Sequence, residues 1–386
     1  MPSFTRNIGT VLLATVNLLA SSQAQVTSSD AEAAYTALQQ WYNGSTGLWI
    51  PSTGWWNSAN CLTVIADLAQ IDGTAKSEAE SVFSTTHSNA PSYEASMTKV
   101  MGANAMPQTY YAGAMPAGME STETTANQGW LNGYYDDEGW WALAWIAAYD
   151  VTGNSDYLST AEYIFNDMAQ SLNTTPCGGG IWWDKAHTYV NAIANELFLD
   201  VAAHLANRAS NGSAYQEYAL NQWTWFKNSG LINSQNTIND GLDNSTCQNN
   251  GQTVWSYNQG VILGALTELS KSTGDSSYIT EAQTIANAAI SALTTDGILH
   301  DPCEPDCGVD GSQFKGVFAR NLQILYKASP QSSYATFLSD NANSIWSNDQ
   351  ENNQLSVVWS GPFESPANAS TQSSAMDAIV AALATS

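Results

Sequence analysis

Residues 133–158, GYYDDEGWWALAWIAAYDVTGNSDYL, hold the pattern on which the fold turns. From Gly139 to Ala148 nearly every residue is small or apolar, with no polar stripe at helical spacing. Such a segment reads as a helix buried on all sides. Gly153 ends it, and Ser and Asp capping residues then open the next helix. That next segment, SDYLSTAEYIFNDMAQSL at 155–172, is amphipathic, as a helix with one solvent face must be.

The same two-helix unit recurs along the chain. Segments 58–72 (SANCLTVIADLAQID), 189–206 (YVNAIANELFLDVAAHLA), 257–274 (YNQGVILGALTELSKSTG), 316–330 (GVFARNLQILYKASP) and 372–384 (QSSAMDAIVAALA) share the buried character. Amphipathic partners lie at 31–43, 75–87, 213–229, 275–293 and 332–348, and TGDSSYI at 273–279 repeats the turn TGNSDYL at 152–158. The unit returns roughly every 55–80 residues, which marks a repeat architecture. Six buried helices, each linked to an outer amphipathic one, predict an all-α fold, an (α/α)6 barrel or toroid. An open solenoid is the rival arrangement; the late helix completing a sixth pair favours closure. Strand-like stretches are few, GGGIWWD at 178–184 and LSVVWSG at 355–361 among them.

Composition narrows the function. The 386 residues carry 10 Lys and Arg against 35 Asp and Glu, a formal charge of -25. No basic footprint exists for phosphates, which argues against nucleic acid, polyanionic substrates and anionic membranes. At the N-terminus, Arg6 precedes an apolar run from Ile8 to Ala20, and small residues at Ser22 and Ala24 place cleavage before Gln25. This reads as a secretory signal over 1–24, followed by a single catalytic domain over 25–386. Sequons at Asn43, Asn211, Asn244 and Asn368, and a weaker one at Asn173, fit a secreted, extracellular glycoprotein. The short C-terminal segment lacks a lipid-anchor pattern, so a soluble monomer is expected. Five cysteines, Cys61, Cys177, Cys247, Cys303 and Cys307, leave at least one unpaired. CEPDC can close a small loop, or Cys247 can pair with either of its members. The four His residues stand in no zinc-ligand spacing with these cysteines.

In the predicted toroid, the segments just before the inner helices gather at one end. They are STGWWNSAN (52–60), NGYYDDEGWW (132–141), GGGIWWDKAHTYVNA (178–192), TVWSYNQG (253–260), DGSQFKGVF (310–318) and NASTQSS (368–374). Five of the six carry aromatics, and all carry amides, hydroxyls or charges. Flat rings stack on the apolar faces of sugars while amides and acids bind hydroxyls. Asp136 and Asp137 have an ordinary use as a helix cap. At a helix start, however, two adjacent carboxyls can also face one cleft, and glycoside hydrolysis needs two. No GxSxG, Walker or GxGxxG pattern and no calcium-loop spacing is present, and no cofactor or metal is expected.

The motifs GWWNSAN, GYYDDEGWWALAW, GGGIWWD, NAIANELF (191–198), DGLD (240–243) and FKGVFARNL (314–322) together resemble the glycoside hydrolase family 76 endo-α-1,6-mannanases, especially fungal secreted members. The resemblance runs from about Ala31 to the C-terminus. It implies an (α/α)6 fold and a retaining mechanism on α-1,6-mannan, with Asp136 as nucleophile and Asp137 as general acid/base. Trp183, Asp184, Asn191, Asp240 and Lys315 match motif positions near the implied cleft. Trp56, Asn57, Tyr135, Tyr257 and Asn258, from the segments before the inner helices, complete the candidate substrate-binding set. Some members of this group are surface-anchored and act as transglycosylases, and the lack of an anchor tail here favours a soluble hydrolase. Enzymes on the same toroid that act on acidic sugars would want basic residues, and the cleft segments offer few beyond Lys185, Lys315 and Arg320. A non-catalytic mannan-binding protein is the remaining alternative.

Overall fold

The computed structural model describes residues 25–93, 97–102, 106–111 and 129–386; the expected signal segment 1–24 lies outside them. Helices fill the periodic segments: α1 (Ser28–Gln39), α2 (Trp55–Ile71), α3 (Lys76–Asn89), α4 (Tyr135–Thr152), α5 (Ser155–Met168), α6 (Ala192–Ala206) and α7 (Gly212–Ser229). They continue as α8 (Ser256–Thr273), α9 (Ser277–Leu293), the short α10 (Gly308–Gly311), α11 (Phe314–Ala328), α12 (Ser332–Asn348) and α13 (Ala369–Thr385).

The segments without a polar face form a closed inner ring. Helix α2 packs on α4, α4 on α6, α6 on α8, α8 on α11 and α11 on α13, and α13 returns to α2. Small residues allow this closeness. A Cβ on Gly316 would lie 2.6 Å from the Cα of Ser374, so α11 touches α13 almost backbone to backbone. The amphipathic helices α3, α5, α7 and α9 each cover the inner helix before them, while α12 and α1 pack against α13. Aromatic rings fill the space between layers, as where Phe165 of α5 stacks on Phe198 of α6 at 4.9 Å. The architecture is the (α/α)6 barrel expected from the repeat.

Local chemistry departs from expectation in places. At the first repeated turn Asn154, rather than Ser or Asp, caps α5 by accepting from the Asp156 N–H at 3.1 Å. Residues 178–184 form an irregular loop instead of a strand: Gly178, Gly179 and Gly180 all have positive φ, and a Cβ on Gly179 would meet Trp225 at 2.4 Å. Within 355–361 only Leu355 pairs, in a two-residue ladder. The longest ladder among the described residues is a hairpin of β1 (Met97–Met101) and β2 (Pro107–Tyr111), with Lys99 opposite Thr109. Its sequence gives no clean alternation and was not legible as strand.

Cys303 and Cys307 close the small loop, Cys177 bonds to Cys247, and Cys61 is free and buried. No helix of the described residues is long and apolar enough to cross a membrane. Asn43, Asn173 and Asn211 are exposed. Asn244 and Asn368 are half-buried, the first donating to the Thr188 carbonyl at 2.8 Å and the second capping α13.

Candidate active site

The starts of the inner helices meet at one end of the ring. Trp56 of α2 stacks on Trp140 of α4 at 5.5 Å and lies 6.5 Å from Phe314 of α11, which stacks on Tyr257 of α8 at 3.8 Å. In each Trp–Trp pair the two rings divide the work. Trp55 and Trp141 pack together in the core at 5.6 Å, while Trp56, stacked on Trp140, has its ring 6.0 Å from the Lys99 ammonium.

Asp136 and Asp137 sit in the first turn of α4, 5 % and 0 % exposed. The residue before the helix, Tyr134, makes no side-chain cap. Asp136 partly supplies one: its Oδ1 accepts the Asp137 N–H at 3.0 Å. Its Oδ2 accepts the indole N–H of Trp183 at 3.0 Å and the Lys99 ammonium at 3.0 Å. Asp137 caps nothing. Its Oδ1 accepts from Lys99 at 2.5 Å and its Oδ2 from the Asn132 amide at 2.9 Å. Because one nitrogen touches both acids, the two oxygens it joins are no farther apart than the sum of 3.0 and 2.5 Å, or 5.5 Å. Burial pushes Asp137 up to about 7, with Lys99 pulling the other way and Asp136 adding to the rise. Lys99 itself would lose its charge through burial, but Asp136, Asp137 and Asp310 outweigh that and hold it protonated.

Lys99 was not legible as a site residue. It stands 37 positions ahead of Asp136 in a stretch without motif or periodicity. The one available signal was its rarity, a lone cation in the stretch MTKVM of a chain with ten Lys and Arg. The other missed residues are Asn132, Tyr134, Glu138, Tyr189 and Asp310. Asp310 accepts the indole N–H of Trp56 at 2.6 Å and the Thr109 N–H of the hairpin at 2.7 Å. Glu138, the third acid of the DDE run, accepts the Asn132 N–H at 2.8 Å and pairs with Lys185 at 2.8 Å. It therefore braces the segment entering α4.

A second acidic locus adjoins the pair. Asp240 accepts the Tyr189 hydroxyl at 2.6 Å, and burial pushes it up to about 7, with the charge of Asp136 adding to the rise. Burial first, then the charges of Asp240, Asp136 and Glu196, raises Tyr257 well above its ordinary value. Glu196, on α6, is fully buried, and neither of its oxygens has a hydrogen-bond partner among the described residues. The same holds for both side-chain atoms of Asn258.

Other candidates serve the frame. Asn191 caps α6 through the Ala194 N–H at 3.2 Å, and Asp184 accepts the Thr188 N–H at 2.9 Å while bridging to Tyr134. Asn57 is buried, its amide 3.5 Å from the Val309 carbonyl. Two candidates are not brought to the pair. Lys185 lies over the ring of Tyr135 at 5.5 Å, whereas Tyr134 is the tyrosine beside Lys99. Lys315 is buried against Glu304 at 2.6 Å and the Val357 carbonyl at 2.7 Å. Among the described residues, no group of three or more His, Cys, Asp or Glu is arranged to hold a metal ion.

The model of glycosyl hydrolase family 76 matches residues 21–386. The chain belongs to glycosyl hydrolase family 76. Family relatives include the mannan endo-1,6-alpha-mannosidase DFG5 of Candida albicans, 24% identical over 75% of this chain and 62% of its own length. The enzyme of the same name from Saccharomyces cerevisiae is 28% identical over 50% of this chain and 46% of its own. The chain thus spans about half to three-fifths of these two curated relatives. Among solved family 76 structures, an inactive variant of the α-1,6-mannanase GH76A of Salegentibacter sp. HEL1_6 superposes with a TM-score of 0.74 at 19% identity, over 92% of this chain and 98% of that one. That variant has two neighbouring aspartates changed to asparagine and is in complex with α-1,6-mannotriose.

Proposed function

We propose that the protein is a secreted, retaining endo-α-1,6-mannanase in which Asp136 is the nucleophile and Asp137 the general acid and base. The observation that carries this reading is the shared contact of Lys99, which brings one oxygen of each buried acid to a single point at the start of α4, too close for a water between them. Retaining glycosidases hold their carboxyls about 5–5.5 Å apart, whereas inverting ones leave roughly 6.5–9.5 Å for a water. Family membership and the relatives' names supply the substrate class.

The partners of each acid suit its role. Asp136 accepts three hydrogen bonds and donates none, which suits a carboxylate acting as nucleophile. Asp137, pushed up to about 7, can hold a proton near neutral pH. Asp137 gives that proton to the glycosidic oxygen while Asp136 attacks the anomeric carbon, forming a mannosyl-enzyme. Asp137 then takes a proton from water, which releases the sugar; an alcohol in place of water gives transfer. A uronide substrate is disfavoured. Lys185, Lys315 and Arg320 are each committed to an acid of the frame, and Lys99 is matched by two.

Asp136→Asn and Asp137→Asn are each expected to reduce reducing-end release from linear α-1,6-mannan by about a thousandfold or more with the fold intact. Near-normal turnover in either variant overturns the assignment. Product sizing separates an enzyme from a binder, and an initial product of inverted anomeric configuration rejects retention. For secretion, the N-terminal sequence of protein from culture medium is expected to begin at Gln25; retention in cells with residues 1–24 attached contradicts it.

A further inference from the structure

We propose that Lys99 is a built-in occupant of the sugar position between Asp136 and Asp137, and that displacing it sets a chain-length threshold for substrates. This rests on the reading of the pair as catalytic. The Lys99 ammonium lies 3.0 Å from Asp136 and 2.5 Å from Asp137. Those are the distances at which the anomeric carbon and its leaving oxygen must stand from a nucleophile and an acid, so ammonium and sugar cannot be present together. Rings that would bind a sugar instead enclose the cation: Tyr134 at 5.2 Å, Trp183 at 5.6 Å and Trp56 at 6.0 Å.

The hydrogen bonds show why this arrangement is inactive. Oδ1 of Asp137 accepts from Lys99 and Oδ2 from Asn132, so while Lys99 stays the Oδ1 side is closed to a glycosidic oxygen. Departure of Lys99 frees Oδ1, and removing its charge also raises the affinity of the carboxyl for a proton. Displacement therefore clears the site and readies the acid in one event.

The residue is held there by its strand. The Tyr134 hydroxyl donates to the Lys99 carbonyl at 3.2 Å, and the facing residue Thr109 donates its N–H to Asp310 at 2.7 Å. The cost of displacement is the same for every substrate. A long mannan offsets it with contacts at flanking positions, while a short oligosaccharide that touches little beyond the pair cannot.

The test compares wild type with Lys99→Met, whose unbranched apolar side chain fits among the same rings, on α-1,6-mannotriose and on linear α-1,6-mannan. The variant is expected to raise kcat/KM by a similar factor of about ten on both, and at one fixed concentration, saturating for the polymer and far below saturation for the trisaccharide, to raise turnover on the trisaccharide alone. Lys99→Gln, which can still bond both carboxyls but lacks the charge, serves if Met unseats the hairpin; the same direction is expected. No change in kcat/KM on either substrate, or a loss on both, overturns the proposal. Binding of mannotriose to Asp137→Asn with and without Lys99→Met, by calorimetry, reads the displacement without turnover. Tighter binding supports the plug even if the assignment of catalytic roles fails, and unchanged binding rejects it even if that assignment holds.

Discussion

At the residue scale, the acid pair works through neighbours that lie far away in sequence. Trp183 delivers its N–H to the same oxygen of Asp136 that Lys99 holds. A hydrogen bond to a charged group is worth about 1.5–3 kcal/mol when its partner is buried. Trp183→Phe keeps a ring and deletes that donor. It is expected to lower kcat on mannan by about tenfold or more, with substrate binding changed much less. An unchanged kcat in steady-state kinetics rejects a positioning role for the indole. The sequence offered Trp183 through its motif, but its partner atom emerges only when the loop at 178–184 folds against the start of α4. Lys99 had no such motif, and Asn132, first in the segment 132–141, carried no sign of its role, because an amide or an ammonium becomes a site residue by what it faces.

At the scale of elements, helices were legible and irregular segments were not. A buried inner helix such as α4 betrays itself by lacking a polar face over its whole length. An outer helix such as α9 betrays itself by its stripe: Ala282, Ile285, Ala286, Ala289 and Leu293 are buried. Both signals are local and repeat along one chain. The strand expected at 178–184 failed for a physical reason. Its three glycines supply positive φ, and the loop lies so close under Trp225 that no Cβ fits at Gly179. The hairpin of β1 and β2 failed the opposite way, since its buried residues Lys99 and Thr109 are polar and no alternation marks them. What holds it in place are the bonds of Lys99 and Thr109 to Tyr134, Asp136, Asp137 and Asp310.

At the scale of the whole molecule, ring closure buries many carboxyls at once. Burial pushes Asp137, Asp240, Asp349 and Asp377 up to about 7 and Asp301 up to about 6. Each folded value lies above the unfolded one near 4, so the folded state binds more protons. The stability these groups contribute is complete below about pH 4 and is lost as pH rises through 6 to 7. Glu268 runs the other way, burial being outweighed by His204 and Arg208, which hold it at about 2, so its contribution is lost only in stronger acid. The formal charge of -25 adds repulsion in the same upward direction of pH. The melting temperature is therefore expected to be higher at pH 5 than at pH 8. A scan by circular dichroism that is flat or inverted over that range contradicts these shifts.

The sequence by itself determined the repeat, the identity of the six inner and six outer helices, and the family, because periodicity, capping and motif order are properties of neighbours along a chain. It also singled out Asp136 and Asp137, two acids at one helix start. Only the tertiary structure decided what lies between them. The distance between two carboxyls, the donors on each oxygen and the ammonium of Lys99 depend on segments separated by dozens of residues meeting across a closed ring. No local pattern encodes that meeting, because burial and Coulomb interactions act through space.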